Sequence, residues 1–456
     1  MKGNNSVNFR SFLSLLQSEG ELVRVKQDVS AEFELAAVTS KMDGKQAVLF
    51  EKVRGSKIGV ACNIVGTPKR FYLAIAGPRK TTHTDIKKAI HARITEALAT
   101  LSPPAKMQGD APFEKNSSRN LHDLPIVTHF EKDAGPFITS SVVFAKDQEK
   151  ENQNQSTHRF LRLDDRHMAI RMVEGRHLHK CYTYAKDHGE DLKVAIAIGV
   201  HPAVSIAAAY QAAYGVDEML IANSLLEGRL ALAKTSYSQL YVPSHAEIVL
   251  EGRILKDRIQ EEWMVEMLRT YDLKRKQPVF ELEKIKFCDN GIYHDILPGY
   301  GEHRLLMGLP VEAKMFDYVK NVVPTTQSVH LTDGGSNWLA AVIQIKKRLE
   351  GEPKNALMAA FSAHPSLKMA TVVDDDIDPR DPVAVEYAIA TRCQADRGFI
   401  ILPNAKGSSL DPSSDQTNLL TTKVGIDATA SVLKAKERFE IARIPGQEKI
   451  KLSDYL

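Results

Sequence analysis

Phe9, Phe12, Leu13 and Leu16 recur at helical spacing after Asn8, and Gly20 supplies a stop, so the chain opens on a short amphipathic helix. Apolar runs at 47–50 and 58–64 predict strands. Ile86, Ile90, Ile94 and Leu98, four apart, predict a helix over 85–101. A small α/β domain therefore closes near residue 102, ahead of the Pro- and Gly-rich stretch SPPAKMQGDAP. The middle of the chain then turns to alternating, β-branched segments: ITSSVVFAKD, RFLRL and MAIRMV around the turn DDRH, VAIAIGV, AEIVLEGRIL and QPVFELEKIKF. Two short helices, 204–214 and 217–226, interrupt them, which predicts a β-barrel or sandwich with inserted helices. From about residue 310 the rhythm becomes strand SVHLT, helix NWLAAVIQIKKRL, strand ATVVD, helix PVAVEYAIATRC, strand GFIILP. That alternation predicts βαβ units on a parallel sheet, with SSLDPSSDQT as a long loop.

Composition narrows the function classes. The 456 residues carry 60 Lys and Arg against 57 Asp and Glu, a formal charge of +3, which argues against a dedicated nucleic-acid binder. Cys62, Cys181, Cys288 and Cys393 lie far apart without a Cys-x-x-Cys pair, as expected of reduced cytoplasmic thiols, and suggest no zinc site. No apolar run approaches a membrane span, so a soluble cytosolic protein is expected.

The candidate chemistry lies in NQSTHRFLRLDDRHMAIRMVEGRHLHK, residues 154–180, read as a β-hairpin. Asn154 and His177 offer donors suited to Mn²⁺ or Mg²⁺, whereas Arg159 would repel a metal and clamp a carboxylate or phosphate. His177 and His179 could share one face of a strand, or be ordinary hydrogen-bonded histidines. In QEEWMVEMLRTYD, Glu261 and Glu266 near an Arg could divide acid chemistry, one ionised and one a proton donor, or simply be solvated. GSSLDPSSDQTNLLTTKVGID presents hydroxyls, amides and Lys423, the makings of a phosphate cradle or of an ordinary loop. The helix after VAIAIGVHP could present its N-terminus to an anion, although it lacks the spacing of a dinucleotide fingerprint, or be a buried helix packed closely through its alanines, the favoured reading.

Several stretches in order resemble the UbiD family of decarboxylases: the Asn-x4-Arg hairpin, RHLHK, VAIAIGVHPA, VPSHAEIVLEG, YDLKRKQPVFELEKI, GEHRLLMGLPVEAKMF, HPSLKMATVVDDDIDPRDP and GSSLDP. The resemblance covers nearly the whole chain. It implies an α/β (α+β) protein of three domains: an N-terminal α/β domain (1–108), a central split β-barrel of flavin-reductase type that binds prenylated FMN (109–308), and a C-terminal α/β domain that oligomerises (309–456). It further implies Mn²⁺ (or Mg²⁺), often K⁺, an unsaturated or aromatic carboxylic acid as substrate, a flavin prenyltransferase as cofactor supplier, and a homo-oligomer, dimer or hexamer. By position, Asn154 and His177 correspond to metal ligands. Arg159 corresponds to the catalytic Arg, and Glu261 and Glu266 to the acids of an E-G-P-F-x-E pattern. Ser156, Thr157, His158, Arg176 and Lys423 fall among the cofactor-binding positions. In that scheme Arg159 pairs with Glu261 beside the substrate carboxylate and Glu266 returns a proton.

Two positions depart from the pattern. KTSYSQLYVP puts Ser236 where the resemblance expects a Glu metal ligand, and a hydroxyl is the weaker ligand. Residues 261–266 lack the Gly and Pro, and Ile259, Trp263, Met267 and Tyr271 suggest a helix. On a helix Glu261 and Glu266 would point about 140° apart. Three readings follow: a working decarboxylase, with the ending RIPGQEKIKLSDYL resembling the archaeal branch that acts on an anhydromevalonate phosphate; an impaired paralogue or partner subunit; and a flavin-binding redox protein.

Overall fold

The structure, a computed structural model, describes residues 7–78, 85–150, 152–210, 216–442 and 444–455. In chain order the elements are α1 (Phe9–Ser18), β1 (Leu22–Val29), α2 (Glu34–Lys41), β2 (Ala47–Val53), β3 (Gly59–Cys62), α3 (Pro68–Ala76), α4 (Ile86–Ala99), β4 (Ala105–Lys106) and β5 (Asn116–Ser118). Then come β6 (Phe137–Asp147), β7 (Asn152–Arg162), β8 (His167–Ile170), α5 (His177–Asp187), β9 (Leu192–Ile198), α6 (Pro202–Ala209), α7 (Glu218–Leu225), β10 (Ala231–Lys234), β11 (Tyr241–Pro243), β12 (Ile248–Glu262), β13 (Arg275–Phe287) and β14 (Ile292–Asp295). The last part holds α8 (Gly301–Val322), β15 (Thr326–Leu331), β16 (Ala340–Ile345), α9 (Glu352–Ala363), β17 (Met369–Asp374), α10 (Pro382–Arg392), β18 (Phe399–Lys406) and β19 (Leu420–Ala428).

Local chemistry explains the helix starts. Asn8 caps α1 through a capping box with Ser11, and Asp85 caps α4, so both helices begin where the pattern places them. Of the expected helix at 204–214, α6 forms the first part and 211–214 lie outside the described residues; α6 is buried along its apolar length, as read. His177 departs from the expected hairpin. The β7–β8 pair ends at Ile170, and His177 opens α5, so His177 and His179 are helical.

The chain forms two compact units. The first comprises Met1–Ala313, Ser336–Trp338 and Leu410–Pro412. Here β12, β9, β6, β7, β8 and β13 pair antiparallel in that order, and β12 pairs back with β13 to close a six-stranded barrel. Gly252 permits the closure, because a Cβ there would lie 2.1 Å from the Glu281 carbonyl and 2.5 Å from the Phe280 ring. The barrel core gathers Phe160, Phe280, Ile196, Leu250 and Tyr293 with no exposed surface. Beside it, the sheet β1-β2-β3-β14 combines the first strands with one from beyond the barrel.

The second unit comprises Lys314–Gly335, Leu339–Ser409 and Ser413–Leu456. Its sheet, β15-β16-β17-β19-β18, is mixed: β16, β17 and β19 run parallel, while both edge pairs are antiparallel. The all-parallel expectation is therefore corrected. NWLAAVIQIKKRL is also no helix, since 340–345 form β16, a nearly continuous buried run whose periodicity does not separate strand from helix. The long α8, with Pro310 inside it, has no counterpart in the sequence pattern.

Candidate active site

Arg159 lies on β7, nearly buried, and meets three carboxylates. Its Nε and Nη2 donate to both oxygens of Glu262 at 3.0 and 2.9 Å, Nη2 also reaches Asp272 at 3.1 Å, and Nη1 donates to Glu266. Burial works against the guanidinium's charge, yet Glu266, Glu262 and Asp272 more than offset it and raise its pKa above the ordinary value. Asp272 is itself held below the usual range: burial opposes its charge, but Arg275, Arg159 and Arg171 outweigh that.

The Arg159 partner is thus Glu262, not Glu261. Glu262 is fully buried, whereas Glu261 is exposed and sits opposite Lys276 in the ladder. Consecutive residues of a strand face opposite sides, so an assignment off by one residue selects the wrong face. The phase is hard to count because β12 carries an irregular stretch: Ile254 pairs with Phe280 and Ile259 with Pro278, leaving 255–258 opposite one residue.

The helix suggested for 259–271 is absent as well. β12 runs on to Glu262, and 263–271 form a turn in which Glu266 N–H donates to the Thr270 carbonyl and Val265 bridges Tyr271. Met264 anchors the turn among Phe137, Leu161 and Ala169. Gly299 is the close neighbour: its φ is +76°, and a Cβ would lie 2.7 Å from Arg269 Cγ and 3.0 Å from the Glu266 carbonyl. This arrangement directs Glu266 back to Arg159 without the turn residues the sequence lacks.

A second cluster forms near the start of β7. Asn154 Nδ2 lies 3.4 Å from His177 Nδ1, and His177 Nδ1 lies 3.8 Å from Glu218 Oε1. Glu218 opens α7, is 3 % exposed, and accepts the Gln155 N–H through its other oxygen. Burial pushes its carboxyl up to about 7. His177 is pushed down by burial and by Lys180 and Arg176. Glu218 is a residue the sequence reading missed; a second carboxylate directly after the N-cap Asp217, at the start of a buried helix, was its available signal.

Ser236 is not part of this cluster. Its hydroxyl donates to Glu251 at 3.2 Å and accepts from Lys286 at 2.9 Å, a buried network that ties the 236–238 turn to β12 and β13. The expected ligand position at Ser236 is corrected on that geometry. Ser156 and His158 face the same way along β7: His158 Nδ1–H donates to the Arg171 carbonyl at 2.8 Å and Nε2 accepts from the Ser156 hydroxyl at 2.9 Å. Burial holds His158 neutral, pulling its pKa down to about 4 against the bond to the Arg171 carbonyl, which favours the charged ring. Thr157 is exposed, and Arg176 caps α5 without a side-chain cap bond. Lys423 belongs to the second unit, where its ammonium donates to the Pro365 and Leu367 carbonyls at 2.6 Å each and burial lowers its pKa to about 8. With two of its N–H groups spent on its own unit, it is a buried anchor of that sheet and not the open cradle expected.

Three family models match nearly the whole length in order: the 3-octaprenyl-4-hydroxybenzoate carboxy-lyase N-terminal domain at 13–90, the Rift-related domain at 102–301 and the C-terminal domain at 304–428. The chain belongs to the UbiD family. Its relatives include the anhydromevalonate phosphate decarboxylase of Methanothermobacter thermautotrophicus, 40 % identical over 95 % of this chain and 99 % of that one. The anhydromevalonate phosphate decarboxylase of Methanosarcina mazei is 39 % identical over 97 % and 100 %. Among solved structures, the UbiD-class enzyme HmfF from Pelotomaculum thermopropionicum in complex with FMN is 38 % identical, with a TM-score of 0.93 over 98 % of this chain and 100 % of that one. An evolved dimeric form of HmfF in complex with prFMN gives 0.89 at 36 % identity over 99 % and 100 %. This UbiD chain is thus a carboxy-lyase by family. No helix among its described residues is long and apolar enough to cross a membrane.

Proposed function

We propose that this UbiD-family chain is a prenylated-FMN-dependent decarboxylase of an unsaturated acid, with anhydromevalonate phosphate as the substrate. The observation that carries the reading is the buried Arg159 cluster, in which Glu266, the partner on a turn between strands, is part-exposed while Glu262 and Asp272 are sealed. Full-length relatives bearing that substrate's name support the choice of acid.

Bound prenylated FMN supplies the electron sink for the electron pair released as the C–CO₂ bond breaks. The chain's own residues do the rest. Arg159 is kept charged to orient the substrate carboxylate, and Glu262 and Asp272 fix the guanidinium by charge-assisted bonds. When the substrate carboxylate takes Glu266's place on Arg159, Glu266 leaves that ion pair, takes a proton from solvent and gives it to the carbon that lost CO₂, so one proton is consumed for each CO₂ released.

Asn154, His177 and Glu218 combine an amide, an imidazole and a carboxylate, a set suited to Mn²⁺ or Mg²⁺. A buried carboxylate whose one nearby basic side chain among the described residues is His177 fits a cation there. Such an ion would anchor an anionic cofactor beside the start of α5. Because Glu218 supplies the carboxylate that Ser236 lacks, and the 263–271 turn delivers Glu266 to Arg159, the impaired-paralogue reading loses both of its supports. A flavin prenyltransferase would supply the cofactor, and a homo-oligomer is the expected assembly. K⁺ has no site to which we assign it.

The test is purification after co-expression with a flavin prenyltransferase, followed by cofactor mass and CO₂ release from anhydromevalonate phosphate. Flavin mass with CO₂ release is the expected result; protein that binds no flavin, or binds it and releases no CO₂ from this acid, contradicts the reading.

A further inference from the structure

The turn 263–271 carries Glu266 and is fastened to a second turn, 130–134, just before β6. Val265 N–H donates to Asp133 Oδ1 at 3.0 Å, and Phe130 N–H donates to Asp133 Oδ2 at 3.1 Å. Trp263 Nε1 donates to the Lys132 carbonyl at 2.8 Å, Ala134 N–H to the Trp263 carbonyl at 3.1 Å, and Lys132 N–H to the Tyr271 hydroxyl at 3.3 Å. Within this set Asp133 is the carboxylate, and it takes one N–H from each turn, so its two oxygens couple the segments. The remaining bonds end on backbone carbonyls or on the exposed Tyr271. A turn with Arg269 at φ 62° and no Gly or Pro of its own has little intrinsic preference for its shape and takes it from its neighbours: Met264 anchors it in the core, Gly299 lies against Arg269 and the Glu266 carbonyl, and Asp133 fastens it at Val265, the residue next to the acid.

We propose that Asp133 is the positioning residue that holds the 263–271 turn, and with it Glu266, in the place from which the proton is delivered. It touches neither Glu266 nor Arg159 by hydrogen bond among the described residues; it acts through the Val265 backbone, one residue before the acid. The inference rests on the decarboxylase reading for its consequence, but the fastening itself is a property of the fold.

The two are separated by reading backbone exchange beside turnover in the flavin-loaded protein. In Asp133→Ala, amide exchange across 263–271 should quicken at least about tenfold while β7 and β13 are unchanged, because a local opening loses its fastening. kcat should fall about tenfold to a hundredfold with KM and flavin content held, as a misplaced proton donor demands. Asp133→Asn keeps the shape and one acceptor oxygen, so it should recover part of both effects; it also replaces the Ala variant if that one does not fold. Exchange of 263–271 at the wild-type rate in the folded variant overturns the proposal whatever the substrate. So does a rate loss that only tracks lost flavin or lost folded protein. If the unsubstituted enzyme releases no CO₂ from the acid, the substrate reading fails, and the exchange comparison still decides the fastening.

Discussion

At one end of β7, Arg159 is surrounded by Glu262, Glu266 and Asp272; near the other, Glu218 is buried beside His177 and Asn154 with no comparable cation among the described residues. The first cluster sets three carboxylates around Arg159, with Arg275 and Arg171 beside them, and it pins the Arg159 guanidinium in one orientation. The second leaves a buried carboxylate poorly compensated, raised to about 7. The difference separates two uses of buried charge. A closed ion cluster is finished by folding and preorganises a reactive group, whereas an open one is completed by a ligand.

Substitutions at the two clusters should therefore have opposite signs. Arg159→Ala strands the fully buried Glu262, whose next cation is Arg171 at 3.9 Å, while Asp272 keeps its bonds to Arg275, and it should cost about 3–5 kcal/mol of stability together with turnover, measured by denaturant melts and CO₂ release. Glu218→Gln removes a poorly compensated charge. Metal-free protein of that variant should unfold at or above the wild-type temperature, while Mn²⁺ should no longer raise the melting temperature as it does for the wild type. A large loss of metal-free stability in Glu218→Gln would show that the second cluster is closed by folding after all. The smallest effect belongs to Glu261→Gln, on the exposed face, expected within about 0.5 kcal/mol and with unchanged kcat.

That last variant also marks where sequence reasoning stopped. The β7–β8 hairpin that carries Asn154 and Arg159 is legible because alternation and turn residues are local signals. Glu262 is not, because strand phase beyond the irregular stretch at 255–258 depends on pairing with β13. Glu218 and His177 come together from two helices whose contact no spacing encodes. β16, in the second unit, is a short buried apolar run that fits both periods, and α8 carries Pro310 inside it, a residue that ordinarily breaks a helix. Lys423 shows the converse: a lysine in a polar tract fits a phosphate cradle or an ordinary loop equally, and only the fold gives two of its N–H groups to the Pro365 and Leu367 carbonyls.

The most direct test of the account is steady CO₂ release by flavin-loaded Glu266→Gln. The substitution is nearly isosteric, retains an acceptor for Arg159 and removes the proton donor. The account predicts that flavin stays bound and that steady CO₂ release falls by about 10²–10⁴-fold. Release at the wild-type rate from fully loaded protein would show that another group delivers the proton and would contradict the role assigned to the Arg159 cluster.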